Sequence, residues 1–127
     1  MADDNPAILR QVSNLLETRF EVEAVVDTGT RAVEAVARLK PDIAILDIAM
    51  PGLSGIEAAR KIREMSLPTK IIFLTIQRDS DYLEAAAALD AGYVLKSRLH
   101  LDLLIAIEHA IAGKVFVSPV LAKQVLL

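Results

Sequence analysis

One carboxylate stands at the end of an apolar run in the middle of the chain, in the segment Leu46-Asp47-Ile48-Ala49-Met50-Pro51. Residues 43–46 are continuously apolar, as in a strand buried on both faces, and Pro51 cannot continue a central strand. Asp47 is therefore predicted at the carboxyl end of a strand. In open α/β sheets ligands bind in the crevice outside these strand ends, so Asp47 is a candidate for chemistry.

Four further polar residues lie near predicted strand ends. Asp3 and Asp4 stand together at the amino end, Thr75 follows an apolar run over 71–74, and Lys96 follows a run over 93–95. All strands of a parallel sheet end on one side, so three acids, one hydroxyl and one ammonium are expected to converge there. Each residue alone is more often an ordinary surface or strand-end residue, but their conjunction favours a site.

Helical and strand patterns alternate along the chain. The predicted helices are 5–18, 32–39, 54–65, 80–89 and 101–112, and the predicted strands are 22–26, 43–46, 71–74 and 93–95. Asn5-Pro6 has the pattern of a helix start, and Ser54 and Glu57 have the spacing of a capping box. Strands that alternate with helices predict an α/β fold with a doubly wound parallel sheet.

Composition limits the class of protein. A chain of 127 residues is long enough for one domain with a single core. No apolar run approaches the roughly 20 residues that span a bilayer, and the amino end lacks a signal-peptide pattern, so a cytoplasmic protein without membrane contact is expected. The absence of cysteine excludes thiol catalysis, and a net charge of −3 argues against DNA binding by this segment alone.

The motif Asp47-x-x-Met50-Pro51-x-x-x-Gly55, with the acidic pair, Thr75 and Lys96, resembles the receiver domain of two-component response regulators. The resemblance spans nearly the whole chain. It implies a flavodoxin-like doubly wound sheet with strand order 2-1-3-4-5, whose first strand is truncated or missing here. It also implies a signalling domain that accepts a phosphoryl group from a sensor histidine kinase and catalyses only its own phosphorylation and dephosphorylation.

The same resemblance implies a Mg²⁺ site. Asp3, Asp4 and Asp47 would hold the cation, together with the backbone carbonyl of Ala49. Mg²⁺ prefers oxygen ligands and usually keeps several waters, which suits a few carboxylates beside phosphoryl oxygens.

The remaining roles also come from the resemblance. Asp47 would be the phosphoryl acceptor, as in aspartyl-phosphate chemistry, and Lys96 would hold the phosphoryl oxygens as a point charge. Thr75 would turn its hydroxyl onto the phosphoryl group. Tyr93 occupies the position of a switch aromatic that turns inward when the Thr moves.

Some positions depart from the commonest pattern of this family. Ser97 follows the Lys where many receivers have a cis proline, so the geometry of that loop is less fixed. Ile76 is bulky where many receivers have a small residue and is expected to narrow access to the acceptor. Ala49 and Gln77 occupy positions that tune phosphoryl hydrolysis in the family, but their identities give no rate.

Other protein classes fit less well. A haloacid-dehalogenase-type phosphatase needs a second Asp two residues after the first, where this chain has Ala49. A flavodoxin needs a hydroxyl-rich phosphate loop where this chain has Asp3-Asp4-Asn5-Pro6. The open alternatives lie within the receiver fold: the input domain of a transcription factor, a stand-alone receiver, or a degenerate receiver that acts as a protein-binding module.

The carboxyl end favours the transcription factor. Residues 113–119 resemble the segment that leads to a LuxR-type helix-turn-helix output domain, which this sequence does not contain. Residues 1–113 are predicted as the receiver domain and 114–127 as the start of a linker, with another helix starting at Ser118-Pro119. DNA would be bound only through the absent domain.

The predicted last helix has two apolar stripes, although a helix packed on a sheet needs one. Leu101, Leu104, Ile105 and Ile111 are predicted to face the core. The surplus stripe of Leu103, Ile107 and Ala110 is predicted to be exposed and to form a homodimer that phosphorylation would bias. The alternative is that the tail from Val115 onward covers it.

Only Met1 and Ala2 precede the acidic pair, whereas a central strand needs five or six residues. Either this strand is truncated, or residues 115–117 fill the gap between the 22–26 and 43–46 strands, from the same chain or from a neighbour in a swapped dimer. A short stub would position Asp3 and Asp4 less firmly, so Mg²⁺ affinity is expected to be weaker than in an intact receiver.

Overall fold

Helices and parallel strands alternate in the computed structural model, which describes residues 1–76 and 80–118. In chain order the elements are α1 (Pro6–Leu16), α2 (Gly29–Leu39), β1 (Ile43–Leu46), α3 (Gly55–Glu64), β2 (Lys70–Thr75), α4 (Ser80–Ala88), β3 (Gly92–Leu95), a 3₁₀ turn (Lys96–Arg98) and α5 (Leu99–Ile111). These elements confirm the five predicted helices and three of the four predicted strands. Gln77 and the helix predicted from Ser118-Pro119 lie outside the described residues.

Side chains cap the first three helices, two of them at the residues that the sequence predicts. Asn5 accepts a hydrogen bond from the backbone N–H of Ala7 at 2.9 Å, and Thr28 caps α2 in the same way. Ser54 accepts a bond from the N–H of Glu57 at 3.2 Å. Each oxygen satisfies a donor that the first helical turn leaves free, which fixes where the helix begins.

The sheet has the order β1-β2-β3 and is parallel throughout. Both of its faces are covered, because Ile45 and Ile72 contact the α1 and α5 side while Phe73 and Tyr93 contact the α2, α3 and α4 side. A strand covered on both faces must be apolar at consecutive positions, which explains the continuous apolar runs of β1 and β2. All three strands point their carboxyl ends toward one edge of the molecule.

The prediction of a regular strand over 22–26 is wrong. Val26 forms a single parallel bridge with Ala2, and Ala2 forms another with Leu46. The spatial order 2-1-3-4-5 is therefore retained, but its first two positions consist of isolated bridges. Among the described residues, the backbone partners of this segment are Met1 and Asp3, which reach Ala24 and Val26, so no regular ladder forms along the rest of it.

Of the two alternatives for the first strand, the one in which residues 115–117 fill this gap is wrong. Val117 forms a parallel bridge with Tyr93, at the opposite edge of the sheet. A cavity of about 580 Å³ lies where the first strand would run, between residues 22–26 and β1. We call this cavity the strand slot.

A polar network anchors the chain beyond α5. The N–H of Tyr93 donates to the carbonyl of Phe116, and the N–H of Ser118 donates to the carbonyl of Tyr93, both at 2.9 Å. The Ser118 hydroxyl accepts a bond from the N–H of Leu95 at 3.1 Å and donates to Asp102 Oδ2 at 2.9 Å. Residues 116–118 thus close the β3 edge of the sheet. The domain boundary at residue 113 stays a prediction.

We expect Ser118→Ala to lower the free energy of unfolding by about 2 kcal/mol, because it leaves the buried N–H of Leu95 without its acceptor and removes one of the donors to the buried Asp102 carboxylate. Urea denaturation measures this change. Ser97→Ala, at an exposed site on the preceding turn, is the control and should change stability by less than about 0.5 kcal/mol. Equal effects of the two substitutions would show that the network adds no stability.

Helix α5 presents the opposite face to the core from the predicted one. Its buried residues are Leu99, Asp102, Leu103, Ala106, Ile107 and Ala110. Leu101 and Ile111 are each 64% exposed and Ile105 is 41% exposed. The prediction that Leu103, Ile107 and Ala110 form an exposed stripe is therefore wrong, because these residues pack against Ile72, Leu74 and Val94 of the sheet.

Among the described residues, no helix has the length and apolar content that crossing a membrane requires.

Candidate functional site

Three carboxylates meet at the carboxyl edge of the sheet. Asp3, Asp4 and Asp47 each place an oxygen within 4.8 Å of the other two. Asp3 and Asp47 are buried and Asp4 is exposed. The sequence prediction that these residues converge is confirmed, and the cluster is open to solvent on the side of Asp4.

The backbone holds Asp47 from two directions. Its N–H donates to the carbonyl of Ala2 at 2.9 Å, which extends the β1 ladder by one residue, and its Oδ1 accepts a bond from the N–H of Ala49 at 3.4 Å. Behind it, the N–H of Gly55 donates to the carbonyl of Ile48 at 2.8 Å. A Cβ on Gly55 would lie 2.0 Å from the Asp47 carbonyl oxygen, so only glycine lets α3 begin this close to the backbone of Asp47.

The short amino-terminal stub also holds Asp3 in place. Its N–H donates to the carbonyl of Val26 at 3.1 Å, and its Oδ1 accepts a bond from the N–H of Asn5 at 2.8 Å. Asp3 thus links the stub to the cap of α1. The expected weakening of Mg²⁺ affinity stays a prediction, but two hydrogen bonds position this carboxylate.

Within residues 1–76 and 80–118, one cation faces the carboxylates. Lys96 follows β3 directly, and its Nζ lies 2.8 Å from Asp3 Oδ2 and 3.2 Å from Asp47 Oδ2. Its side chain is only 12% exposed, so solvent screens these two ion pairs much less than surface pairs. Counted over the part of the chain that the structure describes, three carboxylates and one ammonium leave this cluster with an excess of negative charge.

The site shifts the protonation equilibria of its members. Burial and the charge of Asp3 raise the pKa of the Asp47 carboxyl group, and the ammonium of Lys96 partly opposes that rise. Burial by itself lowers the pKa of Lys96, but the carboxylates of Asp3 and Asp47 outweigh burial, so its pKa is raised overall. Lys96 therefore stays cationic at neutral pH.

The arrangement suits a hard divalent cation. Asp3 Oδ2 is buried and accepts no hydrogen bond of regular geometry, although Lys96 lies beside it as an ion pair. Carboxylate oxygens with unused lone pairs are the ligands that Mg²⁺ prefers. The residues present fit a Mg²⁺ site formed by Asp3, Asp4 and Asp47.

Thr75 and Tyr93 lie on the neighbouring strands. Thr75 is the buried last residue of β2 and is paired in register with Leu95, the residue before Lys96. Tyr93 is fully buried and contacts Phe73 edge-on, with ring centroids 6.4 Å apart. Ile76, which was expected to narrow access to Asp47, is 71% exposed. The catalytic and switch roles of Thr75 and Tyr93 stay predictions.

Sequence reasoning missed two buried polar groups. Asp102 joins Ser118 to Arg98, whose Nε lies 2.7 Å from Asp102 Oδ2. The sequence signal was an acid four residues after Arg98. The amine of Met1 donates to the carbonyl of Ala24 at 3.0 Å, and burial lowers its pKa to about 6. Nothing in the sequence indicated that the amine is buried.

Comparison with known proteins agrees with this geometry. The family described as response regulator receiver domain matches residues 1–108. The nitrate/nitrite response regulator protein NarL of Escherichia coli K12 is 33% identical over 129 aligned positions, which cover 96% of this chain and 60% of that protein. The chain thus spans somewhat more than half the length of the curated relatives it matches.

Solved structures show the same fold. A two-component response regulator of the LuxR family from Aurantimonas superposes with a TM-score of 0.92 at 32% identity, covering 98% of this chain and 91% of that one. The isolated receiver domain of RcsB from Salmonella enterica serovar Typhimurium, with the phosphomimetic BeF₃⁻, gives a TM-score of 0.87 at 28% identity, covering 96% and 93%. The match over residues 1–108 and the acidic site at the sheet edge together show that this chain belongs to the response regulator receiver domains of two-component signalling.

Proposed function

We propose that a sensor histidine kinase phosphorylates this chain on Asp47. Phosphorylation by such kinases is the general function of the family, and the choice of residue rests on one observation. Asp47 is the carboxylate that combines burial at the carboxyl end of β1, two acidic neighbours and a cation at 3.2 Å. This is the arrangement that holds a phosphoryl group beside a divalent cation.

In the proposed reaction a carboxylate oxygen of Asp47 attacks the phosphorus of a phosphohistidine. The new O–P bond forms as the P–N bond breaks, and the electron pair of that bond leaves with the imidazole. Lys96 would neutralise charge on the phosphoryl oxygens, since its ammonium already lies beside the acceptor carboxylate. Thr75 would donate its hydroxyl to the attached phosphoryl group.

Mg²⁺ is the proposed cofactor. Asp3, Asp4 and Asp47 would hold it with the backbone carbonyl of Ala49. When bound, it would offset the negative charges that a phosphoryl group brings next to the three carboxylates. Asp3 and Asp4 would bind the metal without contacting the phosphorus.

The test is intact-mass spectrometry after incubation with acetyl phosphate and Mg²⁺. The protein should gain one phosphate, about 80 Da by elementary mass, and should lose this gain when Mg²⁺ is chelated or when Asp47 is replaced by Asn. Asp42→Asn is the matched control, because Asp42 lies just before the amino end of β1, away from the site. Phosphorylation that survives Asp47→Asn would contradict the assignment.

We infer that the output of this receiver is transcriptional control. The LuxR-type relatives support this proposal, together with the resemblance of the sequence 113–119 to the segment that leads to a LuxR-type output domain. DNA would be bound only by a helix-turn-helix domain that this sequence does not contain, and the whole system would act in the cytoplasm. A stand-alone receiver, or a degenerate one that binds proteins without phosphorylation, is the alternative. The acetyl phosphate experiment separates the degenerate form from the active one.

We also propose a homodimer formed through the exposed stripe of α5. Leu101, Ile105 and Ile111 are apolar and solvent-exposed on one side of that helix. Leu101→Lys should raise the dimer dissociation constant at least tenfold, because a charge in an apolar contact loses its solvation. Sedimentation of the wild type and of this variant, with and without acetyl phosphate, measures the constant. Wild type that stays monomeric throughout would exclude this dimer.

A further inference from the structure

Lys96 lies on a short turn that has no local side-chain cap. The 3₁₀ turn Lys96–Arg98 joins β3 to α5 and carries the ammonium that faces Asp3 and Asp47. In the described part of the chain, no side chain caps this turn or the start of α5, whereas side chains cap α1, α2 and α3. Contacts from outside the turn are therefore needed to hold it in place.

A hydroxyl from beyond α5 holds the residue before Lys96. The Ser118 Oγ accepts a hydrogen bond from the N–H of Leu95 at 3.1 Å, and both residues are buried. Leu95 is the last residue of β3 and is paired in register with Thr75. A bond at this N–H therefore fixes the backbone from which Lys96 starts.

One buried carboxylate ties this hydroxyl to the far end of the turn. Asp102 Oδ2 accepts from the Ser118 hydroxyl at 2.9 Å and from Arg98 Nε at 2.7 Å. Its Oδ1 accepts from Arg98 Nη2 at 3.3 Å. The network thus holds the residue before Lys96 by its backbone and the residue at the end of the turn by its side chain.

Stability alone is a weak reason for this network. A buried ion pair recovers little more than the cost of its desolvation, and apolar side chains of similar volume often stabilise a fold as well. The Lys96 ammonium ends a flexible four-carbon stem, yet its Nζ lies 2.8 Å and 3.2 Å from two carboxylate oxygens. A shift of about 1 Å in the position of such a group can slow a catalysed step by about 100-fold. A defined turn geometry is therefore what the reaction would need from this network.

We propose that Asp102 and Ser118 position Lys96 for phosphoryl transfer by holding both ends of its turn. This role rests on the proposed function, in which the ammonium neutralises the phosphoryl oxygens. Both residues act through the chain around Lys96 and not by contact with the phosphoryl group. Ser118 lies outside residues 1–108, which match the receiver family, so a segment beyond that match serves the site.

A double-mutant cycle tests this role. Ser118→Ala should slow the gain of phosphate from acetyl phosphate and Mg²⁺ about tenfold when Lys96 is present. In the Lys96→Met background it should slow that gain less than about twofold, because no ammonium is left to misplace. Intact mass measures the rates at a temperature where every variant is folded. Equal slowing in the two backgrounds would overturn the proposal.

Thr69→Val is the matched control for general instability. The buried Thr69 hydroxyl donates to the carbonyl of Pro41 at 2.7 Å, next to the amino end of β2 and away from the site. This variant also loses a buried hydrogen bond, but it should change the phosphorylation rate less than about twofold. Slowing as large as that of Ser118→Ala would contradict the positioning role.

A second variant covers the case in which Ser118→Ala fails to fold. Arg98→Met breaks the network at its partly exposed side, where the guanidinium meets Asp102. It should slow phosphorylation about threefold, and only when Lys96 is present. The same slowing in the Lys96→Met background would refute the proposal.

An NMR measurement separates this proposal from the proposed function. In unphosphorylated protein, the ammonium protons of Lys96 should exchange with water at least about fivefold faster in Ser118→Ala than in the wild type, and Thr69→Val should leave this exchange unchanged. Unchanged exchange in Ser118→Ala would overturn the positioning role. A wild type that gains no phosphate would refute the proposed function alone, and the ammonium exchange would then decide the positioning by itself.

Discussion

Replacing Lys96 with methionine is expected to slow phosphorylation by about 10²–10³-fold while tightening Mg²⁺ binding. The ammonium lies 2.8 Å from Asp3 Oδ2 and 3.2 Å from Asp47 Oδ2, so it lies beside both the proposed phosphoryl acceptor and a proposed metal ligand. Removing it takes away the cation that would neutralise the phosphoryl oxygens. The rate of phosphate gain from acetyl phosphate, followed by intact mass, measures the first effect.

The tighter metal binding follows from competition for the same carboxylates. Two opposite unit charges 4 Å apart attract each other by up to about 4 kcal/mol at the effective dielectric constant of partly buried sites. A metal that displaces the Lys96 ammonium from the carboxylates recovers only part of this attraction. We expect Mg²⁺ affinity to rise about tenfold, measured by calorimetry. Without Mg²⁺ the variant should be less stable than the wild type, because Asp3 and Asp47 then lack a counter-ion.

Lys70→Met is the control, since Lys70 is an exposed cation at the opposite end of β2 and should leave both quantities unchanged. A Lys96→Met variant that loses Mg²⁺ affinity together with its phosphorylation rate would show that Lys96 only maintains the fold of the site. The proposed role at the phosphoryl group would then be wrong.

The candidate site could be predicted from the sequence because a parallel sheet brings strand ends together. Asp47 and Lys96 each follow an apolar run directly, and this position alone places them at the same edge. Asp3 lies at the same edge because the residue before it, Ala2, forms a parallel bridge with Leu46 of β1. The backbone topology therefore determines the cluster, and the lengths of the intervening helices matter little.

The orientation of α5 could not be predicted in the same way. Leu101, Ile105 and Ile111 are as hydrophobic as the residues that the sheet buries, so the two stripes differ only by a rotation about the helix axis. Asp102 lies on the buried side, which a hydrophobicity argument would reject. Its burial is possible because Ser118, sixteen residues later, supplies a hydrogen bond that no local pattern reveals.

The position of residues 115–117 depended on a choice between two sheet edges. A short apolar segment can pair with any strand that has free backbone groups, and both the slot and the outer side of β3 offer them. The chain leaves α5 through a turn at Gly113, and Val117 pairs with β3, on which α5 packs. Chain connectivity therefore favours the near edge, although the slot leaves more backbone unpaired.

Replacing Gly55 with alanine is expected to lower the free energy of unfolding by about 3 kcal/mol, or the melting temperature by about 10 °C. The added Cβ would lie 2.0 Å from the Asp47 carbonyl oxygen and 2.9 Å from the Ile48 Cα. Both neighbours are backbone atoms, so no side-chain rotation relieves the overlap. The expected loss of stability is opposite to the usual effect, because Gly→Ala inside a helix ordinarily stabilises a protein by about 0.5–1 kcal/mol.

The same substitution should reduce phosphorylation even in protein that remains folded, because relief of the overlap shifts α3 and the Asp47–Ile48 backbone relative to each other and so disturbs the placement of Asp47 beside Lys96 and Asp3. Thermal unfolding and the acetyl phosphate assay at 10 °C measure the two effects separately. Gly52→Asn is the matched control: Gly52 lies in the same loop at φ +72 with nothing within 4 Å of its ideal Cβ, and Asn tolerates that conformation. An unchanged melting temperature and phosphorylation rate in Gly55→Ala would mean that the close approach of α3 to Asp47 does not position the acceptor.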